Sequence, residues 1–457
     1  MDIEPTPIAG YTAVSESVAA KPTRTRWMIL FLISLMYLIT YMDRSNISMA
    51  ASQISREFGL SKTAMGLVFS AFAWAYAIGQ MPGGWFGDRF GPRRVLTVIM
   101  AWWAIAAGTT GFALGLTSLF AARFSLGLGE AGAFPVATRG MQLWFPQSER
   151  GRIQGITHCF SRFAVAITPF VAVGIMTTLG WRAIFYIFGS LGVIWAVVFH
   201  RIYLNKPEEH KRVNRAELAH IRGVHPDGAI KQLEVQKRHN VPWKAIFGSP
   251  NMWYIMAAYG CFFYGTYFFL TWYPTYLEEY RHFTLKSLGF VASLPLFAGM
   301  AGDILGGSLS DKVYKMTGKL RLSRRIVAAP AMLISGALLI PTAITQSAWT
   351  ALLCLALSFF FLELVIGPAW AVPMDVGGEF SGTVSSIMNM TGALAASVSP
   401  VVFGFFVQRG SWVAPFLVTA GLLLGGAVIW ARLIDPEKSV IGETTRPAET
   451  PETNPES

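Results

Sequence analysis

The chain has 457 residues, 53% of them hydrophobic and only 14% charged, with 33 Phe, 15 Trp and 14 Tyr and a mean hydropathy of +0.45. Apolar runs of membrane-spanning length recur from Trp27 to Leu433, and so little charge cannot cover a soluble surface, which excludes the soluble-enzyme, disordered and nucleic-acid-binding classes. The net charge of +11 is a matter of placement, because the Lys and Arg cluster in alternate loops.

At about twenty residues per span, twelve transmembrane helices are predicted in chain order, near 27–48, 65–87, 94–113, 117–138, 153–178, 183–204, 251–277, 286–310, 325–345, 349–373, 380–408 and 411–433. With both ends placed in the cytoplasm, the outer loops hold only Arg56, Lys62, Arg182, Arg281, Lys286 and Arg409, and Arg44, Arg123 and Arg162 fall inside spans. The positive-inside rule then accounts for most of the basic balance without a polyanionic partner. Residues 1–26 lack the basic-then-apolar order of a signal peptide, so the first span is expected to act as its own insertion signal. The division expected is a tail at 1–26, a six-helix bundle at 27–204, a polar cytoplasmic linker at 205–250, a second six-helix bundle at 251–434 and a disordered tail at 435–457. Cys159, Cys261 and Cys354 fall in apolar spans at unrelated spacings, which fits small core residues and excludes a disulfide framework or a CxxC-type metal site.

The halves look alike. After span 2 comes Gly84-Trp-Phe-Gly-Asp88-Arg89-Phe-Gly91-Pro-Arg93-Arg94, and after span 8 comes Gly307-Ser-Leu-Ser-Asp311-Lys312. Asp311 lies 223 residues after Asp88, and the first spans of the two halves start 224 apart. Two landmarks with nearly one offset argue for a tandem repeat. The stretch GGWFGDRFGPRR resembles the loop signature between helices 2 and 3 of the major facilitator superfamily. That resemblance implies a gating role for Gly84, Asp88, Arg89, Gly91, Arg93 and Arg94, a charge relay with neighbouring helix ends that holds the inward gate closed. The more degenerate Asp311 and Lys312 would be its repeat. The plainer reading is a solvated tight turn with positive-inside charge.

Charges inside the bilayer cost about 2.5–3.5 kcal/mol each on insertion scales, so they need partners and usually a task. Span 1 carries Asp43 and Arg44; span 4 carries Arg123 and Glu130, seven residues and about 10.5 Å apart on one helix face; span 5 adds Arg162. Two carboxylates can carry protons and three guanidiniums can hold an anion. The alternative is a set of ion pairs stapling spans 1 and 4 with no transport role. Gly127, Gly129, Gly132 and Pro135 around Glu130 permit close helix approach or simple packing. Among many aromatics, Tyr41, Tyr76, Tyr264 and Trp370 share a span with other candidates or sit beside a Gly or Pro break. Glu363 is the remaining mid-span acid, a proton site, a partner for Arg162 or a polar group at a helix break. Asn389 suits a polyhydroxy ligand or a helix staple.

Within the superfamily, TYMDRSNIS, FSAFAWAYAIGQMPGGWFGDRFGPRR, ARFSLGLGEAGAFP and LWFPQSERGR together resemble the anion:cation symporter family, particularly bacterial carriers of galactonate, glucarate and hexuronates. The resemblance implies that Asp43 and Glu130 are coupled proton carriers with Arg123 as their electrostatic partner. It implies that Arg44 receives the substrate carboxylate and that Tyr41, Tyr76, Trp370 and Asn389 line the sugar-acid site. Where galactonate-type carriers have a Gln in helix 5, this chain has Ser161 followed by Arg162, and before Trp370 it has Gly367 and Ala369 in place of hydroxyl residues. Those departures favour a different or more highly charged anion, such as an aldarate.

The expected protein is an all-α, twelve-helix monomeric carrier of the bacterial inner membrane, importing a hexonate or hexarate with protons by alternating access. No cofactor or metal is implied, since no His or Cys cluster exists. Its rivals are proton-coupled efflux, a membrane-embedded transferase, for which only His158 lies well inside a span, and a transporter-like sensor that binds without accumulating.

Overall fold

The computed structural model describes residues 21–146, 149–222 and 241–441. The expected tails before residue 21 and after residue 441, and the middle of the expected linker, lie outside the described residues. Among the described residues there is no strand, and twelve long helical stretches follow one another.

Helix α1 (Thr25–Phe58) runs 34 residues without Pro or Gly and stops at Gly59, whose left-handed backbone (φ 62°) closes the last turn on the Ser55 carbonyl. Helix α2 (Lys62–Phe90) starts on Ser61, whose hydroxyl caps the Ala64 amide, and α3 (Pro92–Thr110) starts after Gly91 at φ 80°. The fourth predicted span is two helices, α4 (Leu116–Glu130) and α5 (Ala133–Trp144). Next come α6 (Arg150–Leu179) and α7 (Trp181–Ile202), then the short α8 (Arg215–Arg222) and α9 (Trp243–Gly248). Helix α10 (Pro250–Thr271), α11 (Leu285–Thr317) and α12 (Leu320–Ile344) follow. The tenth predicted span also divides, into α13 (Ala348–Glu363) and α14 (Ile366–Gly377), before α15 (Ser381–Gln408) and α16 (Val413–Val428).

Three expectations need correction. The predicted single spans 117–138 and 349–373 are each interrupted, and in each the first helix ends on an acid, Glu130 or Glu363, that is fully buried. The predicted span 27–48 continues to Phe58, so Arg56 belongs to the last turn of α1; Lys62, Arg182 and Lys286 likewise sit on α2, α7 and α11 and not in loops. Hydropathy marks only the part of a helix that meets hydrocarbon, and a helix continues past it wherever its hydrogen bonds and caps allow. Eight stretches are long and apolar enough to cross a membrane by length and composition, including α1, α7, α11, α12 and the α13–α14 stretch. The other long stretches, α2, α3, α4–α5 and α10, are rich in Trp, Tyr, Gly or polar residues, which suit a bundle interior more than lipid.

The chain forms two compact units, one of Met1–Lys237 with Tyr267–Met300 and Ser397–Trp412, the other of Arg238–Thr266, Ala301–Ala396 and Val413–Ser457. In the first, α2 lies on α4, α3 on α7 and α1 on α6. Small residues make the close approaches: a Cβ on Gly127 would come 2.3 Å from the Phe72 carbonyl oxygen, and one on Gly83 would come 2.4 Å from Gly132 Cα. Gly127 and Gly132 therefore have a packing role. Indole and phenol donors tie the inner core to backbone, Trp195 to the Leu32 carbonyl at 2.7 Å and Trp144 to that of Leu204 at 2.8 Å. In the second unit α12 packs on α13 and α16. A Cβ on Gly302 would come 2.2 Å from the Phe360 carbonyl oxygen, and one on Gly306 as close to that of Leu364. Helices in lipid gain little from burying apolar faces against each other, so this close packing is what holds them.

Candidate functional site: a buried charge cluster on two helices

In the first unit, consecutive residues of α1 present Asp43 and Arg44, and the broken end of α4 presents Glu130 to them. Arg44 Nε donates to Glu130 Oε1 in an ion pair whose acid is fully buried and whose guanidinium is 15% exposed. Four aromatic rings surround that guanidinium: its Cζ lies 4.6 Å from the Tyr76 ring centroid, 4.8 Å from Tyr41, and 5.3 Å from both Phe72 and Phe134. An aromatic cage of this kind lowers the cost of a desolvated cation while leaving its in-plane donors open. Arg44 Nη2 and Glu130 Oε2 have no hydrogen-bond partner.

Asp43 is fully buried and is held differently. Trp103 Nε1 donates to its Oδ2 at 2.9 Å and Asn46 Nδ2 to its Oδ1 at 3.3 Å. Arg123, two turns before Glu130 on the same face of α4, donates from Nη1 to the Asp43 backbone carbonyl at 3.2 Å, stacks on Phe72 at 5.2 Å, and keeps Nε without a partner. Tyr267, which belongs to the same unit, lies within electrostatic reach of Arg44, Arg123 and Glu130. The cluster thus gathers two cations and two acids, of which Arg44 and Glu130 are ion-paired, with guanidinium donors left over. It can exchange an internal carboxylate for an external one without leaving a buried charge alone.

The structure brings together Tyr41, Asp43, Arg44, Tyr76, Arg123 and Glu130. The hydroxyl of Ser161 is turned onto its own helix, donating to the His158 carbonyl at 2.7 Å, and Arg162 follows it half-buried on α6. Trp370, Tyr264 and Asn389 lie in the second unit, where Trp370 Nε1 donates to the Tyr259 hydroxyl at 3.1 Å and Tyr264 is buried. Sequence reasoning missed Asn46, Phe72, Trp103, Phe134 and Tyr267. Only Asn46 carries a signal, a polar residue one turn beyond Asp43; the aromatics are lost among many others.

At the GGWFGDRFGPRR stretch, the side chain of Asp88 and the surroundings of Gly84 lie outside the described residues. Arg89 is exposed over Trp85 at 5.2 Å. Arg93 reaches the C-terminal end of α7, donating to the His200 carbonyl at 2.7 and 3.0 Å, where its charge suits the exposed carbonyls. Arg94 is exposed. The loop turns at Gly91, against which Asn205 packs, accepting from the Arg93 amide at 3.0 Å. In the second unit Lys312 is exposed, and Asp311 is one of two acids on the buried Arg324, at 3.3 Å, the other being Asp375 at 3.0 Å. Sequence reading overlooked Arg324 and Asp375, which with Asp311 make an ion-pair set across α11, α12 and α14.

Residues 33–400 match the model of the Major Facilitator Superfamily. A probable sulfoacetate transporter of Cupriavidus necator is 42% identical over 90% of this chain and 94% of its own length. A probable galactarate/D-glucarate transporter of Bacillus subtilis is 33% identical over 93% and 96%, and a D-galactonate transporter of Escherichia coli is 32% identical over 92% and 98%. Among solved structures, an inward-facing, unoccupied bacterial homolog of the human lysosomal transporter Spinster superposes with a TM-score of 0.73 at 16% identity, over 90% of this chain and 97% of that one, a likeness of fold. The chain belongs to the major facilitator superfamily, as a multi-pass organic-anion transporter and not an enzyme.

Proposed function

We propose that the chain imports an organic anion together with protons across a bacterial inner membrane. Both termini would be cytoplasmic, and the halves 27–204 and 251–434 would rock about a site built on α1 and α4. The observation that carries this reading is Arg44, caged by four rings, ion-paired to the fully buried Glu130, and left with Nη2 unpartnered.

In the unloaded carrier Glu130 neutralises Arg44. A substrate carboxylate that forks onto Arg44 forms two charge-assisted hydrogen bonds and breaks the Arg44–Glu130 pair. Glu130, fully buried, then loses its ion-pair partner, and it binds a proton in preference to remaining an uncompensated buried charge. Anion and proton occupy the site together, so neither the anion alone nor the proton alone leaves a neutral cluster. Release of the anion lets Arg44 recapture Glu130 and expel the proton. Asp43 is the second carboxylate, answering to Arg123 in place of Arg44.

A hexonate or hexarate is the substrate that the galactonate and galactarate/glucarate relatives support. A short sulfonated carboxylate is a second reading, favoured by the relative named for sulfoacetate and by two separate shortages of free hydroxyls: Gly367 and Ala369 precede Trp370 in the sequence, and the Ser161 hydroxyl is used within its own helix. Uptake of labelled gluconate, galactonate, glucarate, galactarate, glucuronate and sulfoacetate into proteoliposomes, with and without an inward proton gradient, tests both. Gradient-dependent accumulation of one anion is expected. Folded protein that accumulates none would overturn the symport reading in favour of efflux or sensing.

A further inference from the structure

Helix α1 carries Asp43 and Arg44, and with no Pro or Gly in 34 residues it lacks the usual places where a helix kinks. Its inner end, Thr25, lies 18 residues before Asp43, about 27 Å along the axis, so whatever fixes that end fixes the height of both charges. The first-turn amides of a helix need acceptors, yet Arg24, at the cap position, offers no side-chain bond.

The acceptor comes from α8, about 190 residues on. Glu217 Oε2 accepts from the Thr25 amide at 3.2 Å and the Thr23 hydroxyl at 2.5 Å, and Oε1 accepts from the Arg26 amide at 3.0 Å. The Arg26 guanidinium approaches Oε1 at 3.5 Å, and Glu217 is fully buried. Asn214 at the start of α8 braces the contact, accepting from the Glu217 amide at 2.8 Å and the Thr23 amide at 3.2 Å and donating to the Lys21 carbonyl at 2.9 Å. A second arm runs from His220 Nε2 to Glu149 at 2.7 Å, with Glu149 3.5 Å from Arg26. Ile221 seals α8 into the core of the first unit.

We propose that α8 is a detached N-cap for α1: Glu217 is a positioning residue that locks the inner end of the rod carrying Asp43 and Arg44, and this part of the connection moves with α1 and is no free tether. A carboxylate at a helix N-terminus is favoured by both the open amides and the helix dipole. The feature depends on no particular substrate.

Amide hydrogen exchange on the full-length carrier in nanodiscs tests it, comparing the wild type with Glu217→Ala, Glu217→Gln and the double variant Arg24→Asp/Glu217→Ala. Glu217→Ala is expected to raise exchange about tenfold at residues 25–29, the size of a lost cap, and also to raise it at residues 41–46. Arg24→Asp supplies an acceptor locally and is expected to restore both segments in the Glu217→Ala background, although α8 has lost its contact. Should Glu217→Ala fail to fold, Glu217→Gln keeps the shape and one acceptor oxygen, and a smaller rise at both segments is expected. A rise confined to 25–29 would show a cap without positioning and overturn the proposal. Failure of Arg24→Asp to restore either segment would assign the effect to packing of α8 and overturn it as well.

Discussion

Two sets of ion pairs in the first unit use the same chemistry in opposite settings. At the ends of α1 and α2, away from the charge cluster, Arg56 meets Glu278 and Lys62 meets Glu279, with Arg56 67% exposed and Lys62 23% exposed. In the middle of α1 and α4, Arg44 meets a Glu130 that is fully buried, inside four aromatic rings. The Arg56–Glu278 pair can be exchanged for water at little cost, so it is worth about 0–1 kcal/mol, and the part-buried Lys62–Glu279 pair lies between the two extremes. The inner pair has no such substitute, and losing one partner of a buried pair costs about 3–5 kcal/mol. In the exchange proposed above, the cost of leaving Glu130 alone would tie its protonation to the occupancy of Arg44.

The contrast breaks first at Arg44. Arg44→Ala is expected to abolish uptake and to destabilise the folded carrier by about 3–5 kcal/mol, read by thermal unfolding in detergent. Arg44→Lys is expected to restore stability in part but not uptake, because an ammonium neither forks onto a carboxylate nor stacks in the ring cage. Trp103→Phe removes the donor at 2.9 Å from Asp43; a hydrogen bond to a charged group is worth about 1.5–3 kcal/mol, so gradient-driven uptake is expected to fall about tenfold at unchanged insertion. Gly127→Ala drives a methyl into the Phe72 carbonyl, moving a ring of the cage, and about 1–3 kcal/mol of stability is expected to go. An equally tight glycine in the second unit, Gly306→Ala against Leu364, is expected to cost about as much stability while leaving anion affinity at Arg44 within about twofold. The smallest effect is expected at the Arg56–Glu278 pair: Glu278→Ala should change uptake by less than about fivefold, the ceiling for an exposed pair. A larger loss there would mean that the two settings differ less than their burial says.

Much of this was legible in the sequence because charge inside an apolar run is conspicuous. Asp43, Arg44, Arg123 and Glu130 stood out for that reason, and the structure gathers them. The repeat was legible through Asp88 and Asp311, and it extends to the glycine seams: Gly79 and Gly83 of α2 recur as Gly302 and Gly306 of α11 at the same 223-residue offset, each set against a broken helix. The breaks themselves were not legible, since hydropathy averages across a two-residue turn such as Ala131–Gly132. Nor were the rings around Arg44, because residue type alone does not separate Phe72 and Phe134 from the many Phe facing lipid. Glu217 was read as part of a polar linker; its cap on α1 is a contact across 190 residues of sequence, and no local pattern announces it.

Glu130→Gln gives the most direct test of the exchange at the centre of this account. Glutamine keeps the size and the acceptor facing Arg44 but cannot take up a proton. Reconstituted beside the wild type, the variant is expected to lose accumulation driven by an inward proton gradient while retaining counterflow exchange of the same anion between the two sides. Accumulation against the anion gradient at the wild-type level would contradict the account and return Arg44 and Glu130 to a staple between α1 and α4.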